Sequence, residues 1–148
     1  MSSVTDQATL PLIEDVPEPQ SGIYPSQAIM AAIARGDIKA GERINPPQIQ
    51  PASLDLRLGS TAYHVPASFL PGAGMRVEDK LVSLSAEKFS IADGAVLETS
   101  KVYLIQLMEH LSLRKRLSAL ANPKSSTGRL DVFTRVITDF GTEFDTIR

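Results

Sequence analysis

An all-β sandwich or barrel, preceded by one short helix, is the fold class this sequence predicts. Three observations carry that expectation. Ile29, Met30 and Ile33 make a single apolar stripe at helical spacing, near the N-terminal side. Leu54, Leu56 and Leu58 alternate with Ser53, Asp55 and Arg57, the period of a half-buried strand. Beyond them, Gly, Pro and Asp turn signals punctuate β-prone runs about every ten residues, giving about seven or eight short strands.

Residues 1–21 are acidic, carry Pro11, Pro17 and Pro19, and hold few large apolar groups. They read as a disordered leader, with residues 22–148 as the folded portion. No basic region is followed by an apolar core, so the start is not a secretory signal. Pro25-Ser26-Gln27 opens the helix. Proline is tolerated in a first turn, Ser26 can cap the free N–H groups, and Gly36 supplies the stop, so the helix runs from Ser26 to Arg35.

Asp37 to Gln48 connects, with Gly41, Pro46 and Pro47. The stretch Ile49-Gln50-Pro51-Ala52-Ser53-Leu54-Asp55-Leu56-Arg57-Leu58-Gly59 contains the first strand, Gly59-Ser60 turns it, and Ala62 to Val65 returns as its partner. Asp55 and Arg57 share a face, where an ion pair within the strand accounts for both. Pro66 to Gly74 is a loop, Val77 to Leu84 is mixed, Ala86 to Ile91 is a short strand, and Asp93-Gly94 is a turn. Val102 to Met108 is the most β-prone run, and Glu109 to Lys115 follows as a polar connection. Glu98 and Glu109 have no supporting context and are expected to be solvated. The chain stops just after a strand with one edge unpaired, the mark of an incomplete domain.

Composition narrows the partners. The 148 residues are one domain or a large piece of one, and 43% hydrophobic residues suffice for a core. Charged residues are 22% and the formal net charge is -2, so no global field favours nucleic acid or an acidic membrane. No apolar run approaches the ~20 residues of a membrane span. There are no cysteines, which removes disulfides and thiolate metal sites and is compatible with a cytoplasmic location. His64 and His110 stand far apart as partly exposed strand residues, so no zinc centre is expected.

The densest chemistry is Asn122-Pro123-Lys124-Ser125-Ser126-Thr127-Gly128-Arg129-Leu130-Asp131. Two cations, three hydroxyls and a glycine fall between Lys124 and Arg129, with the apolar run Leu117 to Ala121 before them and the β-rich run Val132 to Thr138 after. A triphosphate needs such donors: hydroxyls and N–H groups bond its oxygens, Gly128 admits close approach, and Lys124 and Arg129 neutralise charge. On composition alone a polar hairpin turn is the readier account of the stretch.

Ile49 to Gly59 resembles the early strand motif of the dCTP deaminases, a branch of the dUTPase-like superfamily. Lys124-Ser125-Ser126-Thr127-Gly128-Arg129-Leu130 resembles that family's R-S-S-x-x-R-L motif, and Ile23-Tyr24-Pro25-Ser26 and Phe144-Asp145 fit in order. The resemblance runs from about Gly22 to the last residue. It implies a mainly β, distorted dUTPase-like β-barrel, in a homotrimer or a tandem-domain equivalent, with active sites shared at subunit interfaces. It implies dCTP, dUTP or dTTP-type nucleotides as ligands, and Mg²⁺ carried by the triphosphate rather than held in a protein cage. Lys124, Ser125, Ser126, Thr127, Gly128 and Arg129 would bind the nucleotide, with Ser125 and Arg129 as catalytic residues. Asp145 would contact the deoxyribose region.

This sequence departs from the family at three points. Lys124 stands where many members have Arg, keeping the charge and losing the bidentate fork. About three additional residues separate Arg129 from Asp145 compared with short bacterial members, which matches a longer form with two barrels in tandem. The family's general base is a glutamate on the strand after the Asp145 region, and the sequence ends first; Glu143, the nearest carboxylate, does not match the motif. Hydrolytic deamination of dCTP to dUTP and ammonia, without zinc, is thus expected of the parent protein, with this chain alone inactive. A dUTPase-type hydrolase and a non-catalytic nucleotide-binding module are the alternatives.

Overall fold

The structure, a computed structural model, describes residues 21–114 and 117–147. The expected leader falls almost wholly outside the described residues. The first element is α1, Ser26–Arg35, as the apolar stripe requires. Pro25 rather than Ser26 stands at the N-cap, and the Ser26 main-chain N–H donates to the Pro51 carbonyl at 2.8 Å. At the other end Gly36 takes φ +80°, and the N–H groups of Gly36 and Asp37 return to the carbonyls of Ile33 and Ala32 at 3.0 and 2.9 Å. Only a residue without Cβ adopts that left-handed turn at little cost.

Next come β1, Ile38–Ala40, and a 3-10 turn, Pro46–Gln48. The buried face of α1, Ala28, Ile29 and Ala32, lies against this region: Ile29, Ala32 and Ile38 form a core onto which Tyr24, Ile33, Ile44, Ile49 and Leu54 pack. Burial of an Ile of this kind stabilises by about 2 kcal/mol.

Among the described residues the strands form three separate antiparallel sheets and no closed barrel. The central one orders β3, Glu87–Ser90, β2, Leu58–Val65, and β4, Val102–Leu107, with β2 in the middle. A second pairs β1 with β5, Glu109–Leu111, in the register Ala40 opposite Glu109. The third pairs β6, Ala119–Leu120, with β7, Thr146–Ile147. Two further helices lie among the described residues, α2, Val77–Ser83, and α3, Ser125–Gly128. The architecture is mainly β with few helices.

Several local expectations change. Ile49 and Leu54 form only an isolated bridge, and the strand begins at Leu58, so Gly59 and Ser60 lie inside β2 rather than turning it. The reason is contact: a Cβ on Gly59 would meet the Gln106 carbonyl oxygen at 2.9 Å, so glycine is what lets β2 and β4 pair there, with a register shift between Leu58 and Ala62. Glu109 to Leu111 is a strand, not a polar connection. Val77 to Ser83 is helical because Asp139 Oδ1, 62 residues on, accepts the Val77 N–H at 2.8 Å and Leu81 is buried.

The run Val132 to Thr138 is β-prone yet forms no strand among the described residues. Asp145 Oδ1 accepts the Val136 N–H at 2.9 Å, and the Asp145 N–H donates to the Val136 carbonyl at 3.0 Å. A side chain thus takes the ladder's place.

Candidate functional site

The candidate site is the connection between β6 and the 132–138 run. Its strand of entry is fixed by β7: Ala119 and Leu120 pair with Ile147 and Thr146, and the Ala121 N–H donates to the Asp145 carbonyl at 2.7 Å. The chain then leaves the sheet through Asn122 and Pro123. Lys124 is extended, φ -65° and ψ 142°, and the next four residues close one helical turn, α3. The N–H groups of Thr127 and Gly128 return to the Lys124 carbonyl at 3.0 and 3.3 Å, and that of Arg129 to Ser125 at 3.1 Å.

Lys124, Ser125, Ser126, Gly128 and Arg129 are exposed, and Thr127 is half-buried. The turn therefore presents two cations and two serine hydroxyls to solvent within six residues. Expected as a loop between two strands, the stretch is instead a helical turn with a strand on one side only. Arg129 makes no side-chain hydrogen bond or ion pair among the described residues. Lys124 does: its Nζ donates to Asp55 Oδ2 at 2.6 Å.

Asp145 lies beside the site through its main chain, not its carboxylate. Its Oδ2 accepts Arg135 Nη1 at 3.0 Å while Oδ1 holds Val136, and its own φ is +64°. Its carboxylate is thus turned toward the 135–136 segment. Arg135 in turn sits 5.4 Å from the centre of the Phe144 ring.

Beneath Asp55 lies a buried polar cluster that sequence reasoning missed. The Glu109 side chain is 0% exposed, opposite to the solvated carboxylate expected. Its Oε2 accepts the Arg57 main-chain N–H and its Oε1 the Arg57 Nε–H, both at 2.8 Å, and Oε1 also accepts Gln48 Nε2 at 3.0 Å. Burial pushes the Glu109 carboxyl up; the Arg57 N–H and guanidinium and the Gln48 amide together outweigh it, leaving the group below the ordinary carboxylate value. Glu109 is therefore ionised at neutral pH and shared among three donors, unavailable as a base. Asp55 and Arg57 do not pair with each other: one reaches Lys124, the other Glu109. A signal for Glu109 was present, since it falls in phase with Ile105, Leu107 and Leu111, where a carboxylate needs a buried partner. Glu98 is exposed, as expected.

His64 is half-buried in β2 and His110 exposed in β5. Among the described residues no group of three or more His, Cys, Asp or Glu is placed to hold a metal ion. No helix there is long and apolar enough to cross a membrane.

The fold is shared with a solved protein. The crystal structure of 2'-deoxycytidine 5'-triphosphate deaminase from Agrobacterium tumefaciens is similar to this chain at 55% sequence identity and a TM-score of 0.82, over 85% of this chain and 36% of that one. The chain thus spans 36% of the length of that relative. A family model described as the 2'-deoxycytidine 5'-triphosphate deaminase (DCD) N-terminal domain matches residues 20–148. From Gln20 to Arg148, the chain belongs to that N-terminal deaminase domain family.

Proposed function

We propose that this chain is the N-terminal segment of a dCTP deaminase, which converts dCTP and water to dUTP and ammonia in pyrimidine deoxynucleotide metabolism. The observation that carries it is the exposed Lys124–Arg129 turn within a chain 55% identical to a protein named for that reaction. The nucleotide enters as its Mg²⁺ complex, the metal arriving on the triphosphate as part of the substrate. Lys124, Ser126, Thr127 and Gly128 hold the phosphates, Lys124 as a point charge and the hydroxyls as donors. Ser125 holds the attacking water, and Arg129 supports the phosphates and the charge that develops as water adds to C4. Asp145 faces the deoxyribose once Arg135 is displaced. A carboxylate supplied from outside these residues takes the proton from water and returns one to the departing ammonia.

In this reading residues 22–148 contribute the three small sheets to a distorted dUTPase-like barrel, and sites form between subunits of a homotrimer or between tandem domains. Consistent with an interface there, the neighbouring Leu130 and Phe133 are 77% and 95% exposed. The protein works without zinc, in the cytoplasm.

The test is ammonia release from dCTP with Mg²⁺, run on this chain and on a version extended toward the length of the crystallised relative. Ammonia from the extended version alone is the expected result. In a parallel assay on dUTP, pyrophosphate release with no ammonia from dCTP establishes a dUTPase-type hydrolase, and binding without turnover in both establishes a nucleotide-binding module.

A further inference from the structure

Residues 55–57 belong to no ladder, yet Asp55 is held firmly. Gln48, itself buried, accepts the Asp55 N–H on its main-chain carbonyl at 2.8 Å and donates its side-chain Nε2 to the Asp55 carbonyl at 2.9 Å. Gln48 is fixed in turn by Glu109, and by the Asn45 N–H, which donates to its Oε1 at 2.9 Å. Both main-chain polar groups of Asp55 are thus bound to one buried residue, and the carboxylate is the part left to reach outward. It reaches Lys124, 69 residues along the chain, at 2.6 Å.

Most exposed ion pairs contribute little, because two long side chains must be immobilised together. Here one partner is short and stands on a fixed main chain, so nearly all the ordering falls on Lys124. Its four-carbon stem, 63% exposed, otherwise samples many rotamers. Asp55 is also the polar residue at the centre of the Ile49–Gly59 motif, which the phosphate chemistry of the turn leaves without a role.

We propose that Asp55 is a positioning residue for the nucleotide turn: its carboxylate holds the Lys124 ammonium at the entrance to Ser125–Gly128, so that the cation is oriented before a triphosphate arrives. This rests on the nucleotide reading of the turn. Asp55 touches no phosphate in this role. Its negative charge repels an anion while its grip orders the cation, and these two effects change anion affinity in opposite directions. Substitution decides which one dominates.

The experiment titrates dCTP with Mg²⁺, and separately inorganic tripolyphosphate, into the full-length protein and its D55N, K124M, D55N/K124M and D55E variants. The expected result is binding weakened about fivefold by D55N for both probes, at least as much by K124M, and no further by the double substitution. D55E, which keeps the charge, retains most of the affinity. In turnover, D55N raises KM for dCTP at unchanged kcat, whereas a merely structural loss lowers kcat by shrinking the active fraction at unchanged KM. Tighter binding by D55N, or additive losses in the double variant, overturns the positioning role and leaves the deaminase reading standing. An unsubstituted protein that binds neither probe overturns both.

Discussion

Glu109 and Arg57 meet twice, once through the Arg57 main-chain N–H and once through its Nε–H, each at 2.8 Å. The two partners differ in their access to water: the carboxylate side chain is wholly buried, the guanidinium side chain 24% exposed. Removing either one therefore has an unequal cost. R57M leaves the buried carboxylate with two neutral donors and no cation, and is expected to destabilise by about 3 kcal/mol. E109Q leaves a guanidinium that can turn to solvent, at about 2 kcal/mol. An apolar pair, E109L/R57M, recovers little, because the Arg57 main-chain N–H and the buried Gln48 amide then lose their acceptor. Urea unfolding of the three variants checks the order, and E109Q costing more than R57M would contradict it.

The same carboxylate makes stability fall in acid. Its folded value lies below the 4.5 of an ordinary glutamate, so the unfolded chain takes up the proton first. The contribution is complete above that ordinary value and is lost as pH falls from there through the depressed folded one. A series of thermal midpoints from about pH 7 to about pH 3 should drop in that acid window, and E109Q should flatten the drop. A slope centred near neutral pH would point to another group.

Gly59 is the close-approach point between β2 and β4. A methyl group there meets the Gln106 carbonyl oxygen at 2.9 Å, which is main chain and cannot swing aside. G59A is expected to cost about 1–3 kcal/mol. Hydrogen exchange should show the loss in the amides of Val102–Leu107, with α1 protected as before. Uniform loss across the chain would mean that the strain is not local to this pair of strands.

What local sequence could reveal follows from what each element depends on. α1 was legible because its stripe and Gly36 stop lie within a dozen residues, and β4 because its run is β-prone throughout. The strand expected at Leu54 arrives only at Leu58, since Gln48 rather than a neighbouring strand takes the Asp55 main-chain groups. α2 draws an N-terminal acceptor from Asp139, 62 residues on, and Val132 to Thr138 loses its ladder to the Asp145 side chain, a bond that β propensity does not encode. The stretch Lys124 to Arg129 was legible as an exposed polar connection; its helical form was not. The Asp55–Lys124 contact spans 69 residues and belongs to the tertiary fold alone.

Arg129 is placed to tell the proposed catalytic role apart from a structural one. It is exposed, caps α3 with its main chain, and makes no side-chain hydrogen bond or ion pair among the described residues. Lys124 lacks that independence, being tied to Asp55. In the full-length protein R129M is therefore expected to leave the urea midpoint unchanged, within about 0.5 kcal/mol. Its ammonia release from dCTP should fall about a hundredfold, the scale of losing one donor to developing charge. S125A, which removes the hydroxyl assigned to the water, should fall similarly with the same stability. Two silent substitutions would move the chemistry away from this turn; two that unfold the protein would show that these side chains serve stability rather than the nucleotide.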